Sequence, residues 1–227
     1  MTEVAPGLWR LAGFPPHWIN IYLADGILID GGTRFARYRI LRQLQQFLAR
    51  SGRTLELVAL THCHPDHQGA VRAVCQRWGV PLACHEADAA AMEGRQPMLP
   101  RNVIVGLGAQ LLAGPAHPVT RRLRDGDLVG EFRVIHAPGH TPGHVFYFRE
   151  RDSIILAGDV LANLGPLRLG FLFPGLVEPP TFFSSDPEEN RRSIRKLLEL
   201  RPRLICFGHG PPLQDLSILK RFVERRL

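Results

Sequence analysis

Several features are missing or scarce, and each absence narrows the reading. No stretch of eighteen or more apolar residues occurs, so no membrane-spanning helix is expected. Lysine is nearly absent. Lys196 and Lys220 are the only two, and arginine carries the net charge of +7. No block of five or more like charges appears, and aromatics do not interleave with a basic stripe. The arginines sit in amphipathic stretches such as RFARYRILRQLQQFLAR and NRRSIRKLLEL, which read as solvated helix faces. Nucleic acid is therefore not the expected partner. The four cysteines, Cys63, Cys75, Cys84 and Cys206, form no CxxC pair. That spacing argues against a disulfide framework and for reduced, mostly buried thiols. The opening MTEVAPGLWRLAG lacks a basic segment followed by an apolar one, so a cytoplasmic location is expected. G-x-S-x-G is absent too, which removes a serine nucleophile on a strand-to-helix elbow.

The chain has 227 residues, 45% of them apolar and 22% charged. That suits one globular domain, expected to span 1–227. GLWRLAG, HWINIYLA and GILID read as short strands, and ADG between the last two is a hairpin turn signal. From Arg34 to Arg50 the apolar residues Phe35, Tyr38, Leu41, Leu44, Phe47 and Leu48 recur at helical spacing, and Ser51-Gly52 ends the run. LELVAL is a buried strand. A second helix is expected over Asp66 to Trp78, then a strand VPLAC and a short helical stretch EADAAAMEG. Residues 95–118 are less regular, because Gly106 and Gly108 weaken a helical reading of NVIVGLGAQLLAG. EFRVIHA, HVFYFRE, SIILAG and RLICFG are further strands, with helices near Pro187–Leu200 and from Asp215. The β-rich start followed by alternating elements, and the repeat of that order, predict an α/β layered domain of two similar halves.

The chemistry concentrates in THCHPDH. His62 and His64 lie two apart, so in an extended segment both imidazoles face one side and Cys63 the other. Asp66 and His67 follow, displaced from the first pair, which suits a second cation beside the first. Imidazole and carboxylate are donors for zinc, iron or manganese. Four residues cannot complete two sites, so further ligands are expected at other strand ends. HAPGHTPGH (His136 to His144) follows the strand EFRVI, LAGD ends with Asp159, and FGHG places His209 after RLICF, each where an apolar strand gives way to a turn.

These four signatures, THCHPDH, APGHTPGH, LAGD and FGHG, appear in an order and at spacings that resemble the metallo-β-lactamase fold superfamily. The resemblance implies a four-layer αββα sandwich with a metal cleft at one edge of the two sheets. It implies that His62, His64 and His140 hold one metal ion, that Asp66, His67 and His209 hold a second, and that Asp159 bridges both. Zinc is the first expectation for the two divalent ions, with iron and manganese also fitting. The implied activity is hydrolysis of a small ester, thioester or lactone by a hydroxide shared between the ions, with Asp66 able to orient it or shuttle a proton. Glyoxalase II proteins are similar in these signatures but carry a helical C-terminal extension that grips glutathione. The few residues after His209 lead us to expect no such extension here. Two alternatives stay open at this level: a one-iron persulfide dioxygenase using His62, His140 and Asp159, and a phosphodiester-processing hydrolase of the same fold. A small-molecule substrate is expected, and a homo-oligomer is compatible with the sequence. His136 and His144 flank a turn and are expected to stabilise it or orient ligands. Asp30 is expected to shape the loop beneath the site. His17, His85 and His117 are expected in ordinary roles, and Cys63 is flagged as an oxidation-sensitive thiol. Residues 95–118 and 163–185 are expected to wall the pocket; the apolar side chains of the second, Phe171, Phe173, Phe182 and Phe183 among others, fit an acyl chain, the core or a partner subunit equally well.

Overall fold

Apolar alternation along short strands decides the architecture of the chain. The computed structural model describes residues 1–12, 17–165 and 175–227. Strands β1 (Thr2–Ala5), β2 (Leu8–Arg10), β3 (Tyr22–Ala24), β4 (Ile27–Ile29), β5 (Leu57–Ala59), β6 (Leu82–His85) and β7 (Arg121–Leu123) lie side by side in chain order. The pairs from β1 to β4 are antiparallel and those from β4 to β7 are parallel. Asp25 and Gly26 both take positive φ, 47° and 76°, as the two-residue hairpin between β3 and β4 requires. The second sheet uses β8 (Leu128–Val129), β9 (Phe132–His136), β10 (Val145–Arg149) and β11 (Ile154–Gly158). After a small ribbon of β12 (Ala162–Asn163) and β13 (Leu176–Val177), β14 (Leu204–Phe207) joins β11 in parallel.

Each strand splits its side chains between two layers. Ile27, Ile29, Leu57 and Ala59 meet Val145, Tyr147, Leu156 and Cys206 in a core between the sheets. Leu28 and Val58 point the other way, into a core with α1 (Arg37–Ser51) and α2 (Val71–Trp78). Phe146, Ile155 and Phe207 point outward from the second sheet and meet α5 (Pro187–Glu199) and α6 (Leu216–Arg226) through Ile194, Leu197 and Leu219. The result is the expected αββα order, produced by the period of two along a strand. Helices α3 (Glu86–Met92) and α4 (Val103–Leu112) complete the first half of the chain. Among the described residues no helix is long and apolar enough to cross a membrane.

Four local expectations need correction. The second helix starts at Val71, not Asp66; residues 65–70 form turns held by His67 N–H and Gln68 N–H on the His64 carbonyl. The buried stripe of α1 is Ile40, Leu44 and Leu48. Phe35 and Tyr38 are 69% and 73% exposed, with the guanidinium groups of Arg34 and Arg37 stacked over their rings. Residues 103–112 are helical despite Gly106 and Gly108, because the Asn102 side chain caps the start by accepting from Val105 N–H at 2.9 Å. The short strands β1, β7, β8, β12 and β13 also match no strand named in the sequence reading.

Candidate metal centre

Every candidate donor of the four signatures stands just beyond the C-terminal end of a strand. His62, His64, Asp66 and His67 follow β5, His140 follows β9, Asp159 follows β11 and His209 follows β14. Both sheets deliver these ends to one edge of the sandwich. His62 and His64 lie on one side, their ring centroids 4.7 Å apart, while Cys63 points into the core.

The donors fall into two clusters. Ligand atoms of His62, His64 and His140 lie within 4.8 Å of one another, and so do those of Asp66, His67, Asp159 and His209. Asp159 Oδ2 stands between the clusters. It is 3.2 Å from His67 Nε2, 3.0 Å from His209 Nε2, and 3.9 Å from both His62 Nε2 and His140 Nε2. Asp66 Oδ2 lies 3.3 Å from His209 Nε2.

Neighbouring groups choose the tautomers. His67 Nδ1–H donates to Asp30 Oδ2 at 2.9 Å, leaving the Nε2 lone pair toward the site. Thr61 Oγ1–H donates to the same Asp30 oxygen at 2.9 Å and faces His62 Nδ1 at 3.0 Å, which again frees Nε2. Asp30 thus steadies both clusters, and by accepting from Thr61 N–H at 2.9 Å it also shapes the loop beneath the site, which is the role expected of it. His64 Nε2–H donates to the Leu99 carbonyl at 2.6 Å, so Nδ1 is its free nitrogen. His209 Nδ1–H donates to the Trp18 carbonyl. Outer partners of this kind orient metal-binding imidazoles and raise their basicity.

Glycines set the close approach. A Cβ at Gly208 would stand 2.0 Å from Asp159 Oδ1 and 2.8 Å from His67 Cε1. Gly158, at φ +52°, brings its backbone against His144. His144 Nε2 accepts from Asp159 N–H at 3.0 Å, so it positions the shared carboxylate and holds no place in either cluster. Burial pushes the His144 pKa down to about 3, which keeps it neutral and able to accept. His136 Nε2–H donates to the Pro142 carbonyl at 2.8 Å and stabilises the turn, as expected.

Electrostatics separate the clusters. Burial, then the crowding of other imidazoles, holds His62 and His140 well below the ordinary histidine value; burial also lowers His64. Burial acts the same way on His67 and His209, but the carboxylates around them outweigh it, Asp159 first, and both are held well above the ordinary value. For Asp66 and Asp159 burial works toward protonation. His67 and His209 overcome it, and both carboxyls stay ionised far below the usual range.

The arrangement fits divalent cations. His62 Nε2, His140 Nε2 and Asp159 Oδ1 are buried with no hydrogen-bond partner. Unpaired lone pairs in a buried polar cluster are costly unless something positive sits among them. Nitrogen and carboxylate donors suit zinc, iron or manganese.

Three contributors escaped the sequence reading. Asp88, buried on α3, accepts from Cys63 N–H at 2.8 Å, Thr141 Oγ1–H at 2.7 Å and Gly143 N–H at 2.7 Å. It clamps the loop of His62 and His64 to the loop of His140. Asn20 Nδ2 donates to the carbonyls of Phe207 and Gly210, at 2.9 and 2.7 Å, and so braces the loop bearing His209. The only signals were a carboxylate among alanines and an asparagine inside an apolar run. Thr61 is the third, through the Asp30 relay. His85 does have a partner: its ring stacks on His136 with centroids 4.1 Å apart. Cys63 is not a reactive thiol. It is 2% exposed, and burial, helped by the Asp88 charge, raises its pKa well above the ordinary value.

A cleft of about 490 Å³ opens onto the donors. Both expected walls contribute, through Ile104, Val105, Gly108 and Leu112 on one side and Leu164, Val177 and Phe183 on the other. Leu167, Leu169, Phe171, Leu172 and Phe173, also expected there, lie outside the described residues.

Comparison with known proteins agrees with this geometry. The model of the family described as the metallo-beta-lactamase superfamily matches residues 19–209. "Probable metallo-hydrolase YflN" of Bacillus subtilis (strain 168) is 29% identical over 212 residues, covering 87% of this chain and 80% of its own length. "Hydroxyacylglutathione hydrolase GloC" of Haemophilus influenzae is 30% identical over 163 residues, covering 69% of each. Among solved structures, TTHA1623 in a di-iron-bound form superposes with a TM-score of 0.71 at 28% identity, over 94% of this chain and 97% of that one.

Proposed function

The chain belongs to the metallo-beta-lactamase superfamily, and from that premise we propose that it is a dinuclear metallo-hydrolase of a small ester, thioester or lactone. One observation carries the reading: a single carboxylate oxygen, Asp159 Oδ2, lies within 3.9 Å of imidazoles from both donor clusters. The di-iron form of TTHA1623 supports a pair of ions and keeps iron beside zinc as a candidate. The relatives named as metallo-hydrolases and a hydroxyacylglutathione hydrolase support hydrolysis of an acyl bond.

His62, His64 and His140 would hold one ion, Asp66, His67 and His209 the other, with Asp159 between them. Such a pair of ions acidifies water toward neutrality and polarises an acyl oxygen. The residues of the chain supply position and proton traffic. Asp30, through Thr61 and His67, fixes two imidazoles in metal-ready tautomers. His144 fixes the backbone of Asp159. Asp66 sits at the lip of the cleft, 25% exposed and ionised, where a carboxylate can take a proton and pass it to a leaving group. The walls of the cleft exclude bulk water from that exchange.

Elemental mass spectrometry of protein purified without chelator or added metal tests the reading, together with a panel of thioesters, esters and lactones. About two divalent ions per chain and turnover lost on chelation are expected. One iron per chain with oxygen uptake on glutathione persulfide would replace it with the dioxygenase reading.

A further inference from the structure

We propose that the cleft selects acyl substrates that are uncharged and carry an apolar chain, seated between α4 and residues 177–183, with Gly108 keeping its floor open. The proposal rests on the hydrolase reading above and assigns its substrate class.

The first ground is charge. The chain carries a net +7, yet no arginine or lysine lines the cleft among the described residues. Outside the metal donors the one charged wall residue among the described residues is Glu178, an acid, which accepts from Arg191 Nε at 3.0 Å. Away from the metal centre, a substrate bearing further carboxylates would lose hydration and meet no cationic side chain of the described wall in return. The second ground is the wall itself. Ile104, Val105 and Leu112 face Val177 and Phe183 across the space, and Trp18 stands at the mouth, 46% exposed. Pockets lined this way take apolar groups and leave orientation to a few polar atoms, here the metal centre at one end.

Gly108 is the third ground. Glycine inside a helix is destabilising, by about 0.5–1 kcal/mol relative to alanine. Packing does not explain it: a Cβ at Gly108 would meet only Pro65 Cγ, at 3.8 Å, an ordinary contact. Its φ is not in the left-handed region either. What the missing side chain leaves is room, on the face of α4 that lines the cleft beside Pro65 and His64. The two walls are tied together, since Asn102 caps α4 and also donates from Nδ2 to the Phe182 carbonyl at 2.6 Å. The space between them is therefore a built feature of the fold.

The test uses metal-loaded protein and two readouts. Hydrolysis of N-acetylcysteamine thioesters, acetyl through octanoyl, gives kcat/KM against chain length. Calorimetric titration with the matching straight-chain hydroxamic acids gives affinity without turnover. Both should improve about fourfold per methylene until the cleft is filled, the factor that goes with burying one methylene. A glutathione thioester of the same acyl group should be the poorer substrate. Gly108→Leu should keep its metal content and lose the chain-length gradient in both readouts. The wild-type series decides the matter by itself if that variant does not fold. Turnover with a flat or falling gradient would overturn the substrate class and leave the hydrolase standing. A gradient in binding with no turnover of any thioester, nor of the esters and lactones of the same acyl chains, would keep the apolar acyl site and overturn the hydrolase. Loss of both would overturn both.

Discussion

The two donor clusters sit side by side and are built on opposite principles. His62, His64 and His140 are imidazoles alone, all buried, and their surroundings keep them neutral. Asp66, His67, Asp159 and His209 mix carboxylates with imidazoles, and Asp66 and His209 are each 25% exposed at the side chain. In the first cluster lone pairs stand ready but negative charge is lacking. In the second the carboxylates are ionised, and protons on His67 and His209 balance them. The contrast explains the position of Asp159. It lends the first cluster the charge that cluster lacks, so cations held at the two clusters would be coupled through one side chain.

Breaking that shared link should have the largest effect. Asp159→Ala should strip at least one ion and lower turnover by more than the roughly 10–100-fold typical of losing an outer partner. Full metal content with full turnover in that variant would refute the shared carboxylate. Gly208→Ala weighs more on the second cluster, because the added Cβ collides with His67 Cε1 as well as with the shared Asp159 at Oδ1. The second ion should be lost at lower chelator concentration than the first, with a stability cost of about 1–3 kcal/mol seen in denaturant unfolding. Equal loss of both ions would mean the clusters are not separable in this way.

Asp30→Asn probes the support beneath both. Asp30 touches His67 directly and reaches His62 only through Thr61. Metal affinity should fall about 10–100-fold at the second cluster and less at the first. A larger loss at the first cluster would show that the Thr61 relay outweighs the direct contact.

How far the sequence made this legible differs by scale. The four signatures were readable because each follows an apolar strand, and their resemblance to a known family picked the seven candidate donors out of them. The tie between the donor loops was not readable. Asp88 lies in a short alanine-rich helix where an aspartate reads as surface, and only the packing of α3 against two distant loops reveals its three bonds. Periodicity also overstated the apolar face of α1. A sheet covers one stripe of a helix, here Ile40, Leu44 and Leu48, and leaves Phe35 and Tyr38 to cation stacking outside it. In α4 two glycines hid a helix that its Asn102 cap secures.

Smaller effects sharpen the contrast through pH. His67 and His209 are raised in the metal-free chain, so filling the second cluster must displace about two protons, whereas the neutral first cluster releases few. Affinity of the second ion should therefore weaken more steeply as pH falls. Calorimetry in buffers of different ionisation heat measures the protons released; equal release at both sites would erase the distinction. The buried thiols give an alkaline counterpart. Burial pushes Cys75 and Cys206 up to about 12, so the folded chain keeps those protons after the unfolded chain begins to lose them near pH 9. Their stabilisation is complete below that pH and declines as pH rises toward 12, by about 1.4 kcal/mol per pH unit for each thiol. Denaturant unfolding between pH 8 and 11 reads it. The smallest expected signal is Cys63, which should resist alkylation in native protein at neutral pH despite lying between two candidate donors. Labelling before unfolding would contradict its burial.

The most direct measurement is anomalous diffraction from crystals of the purified protein at the absorption edge of its own metal. Two peaks about 3.5–4 Å apart are expected, one beside His62, His64 and His140, the other beside Asp66, His67 and His209, with the Asp159 carboxylate between them. A single fully occupied peak held by His62, His140 and Asp159, with no density at the second cluster, would contradict the coupled pair.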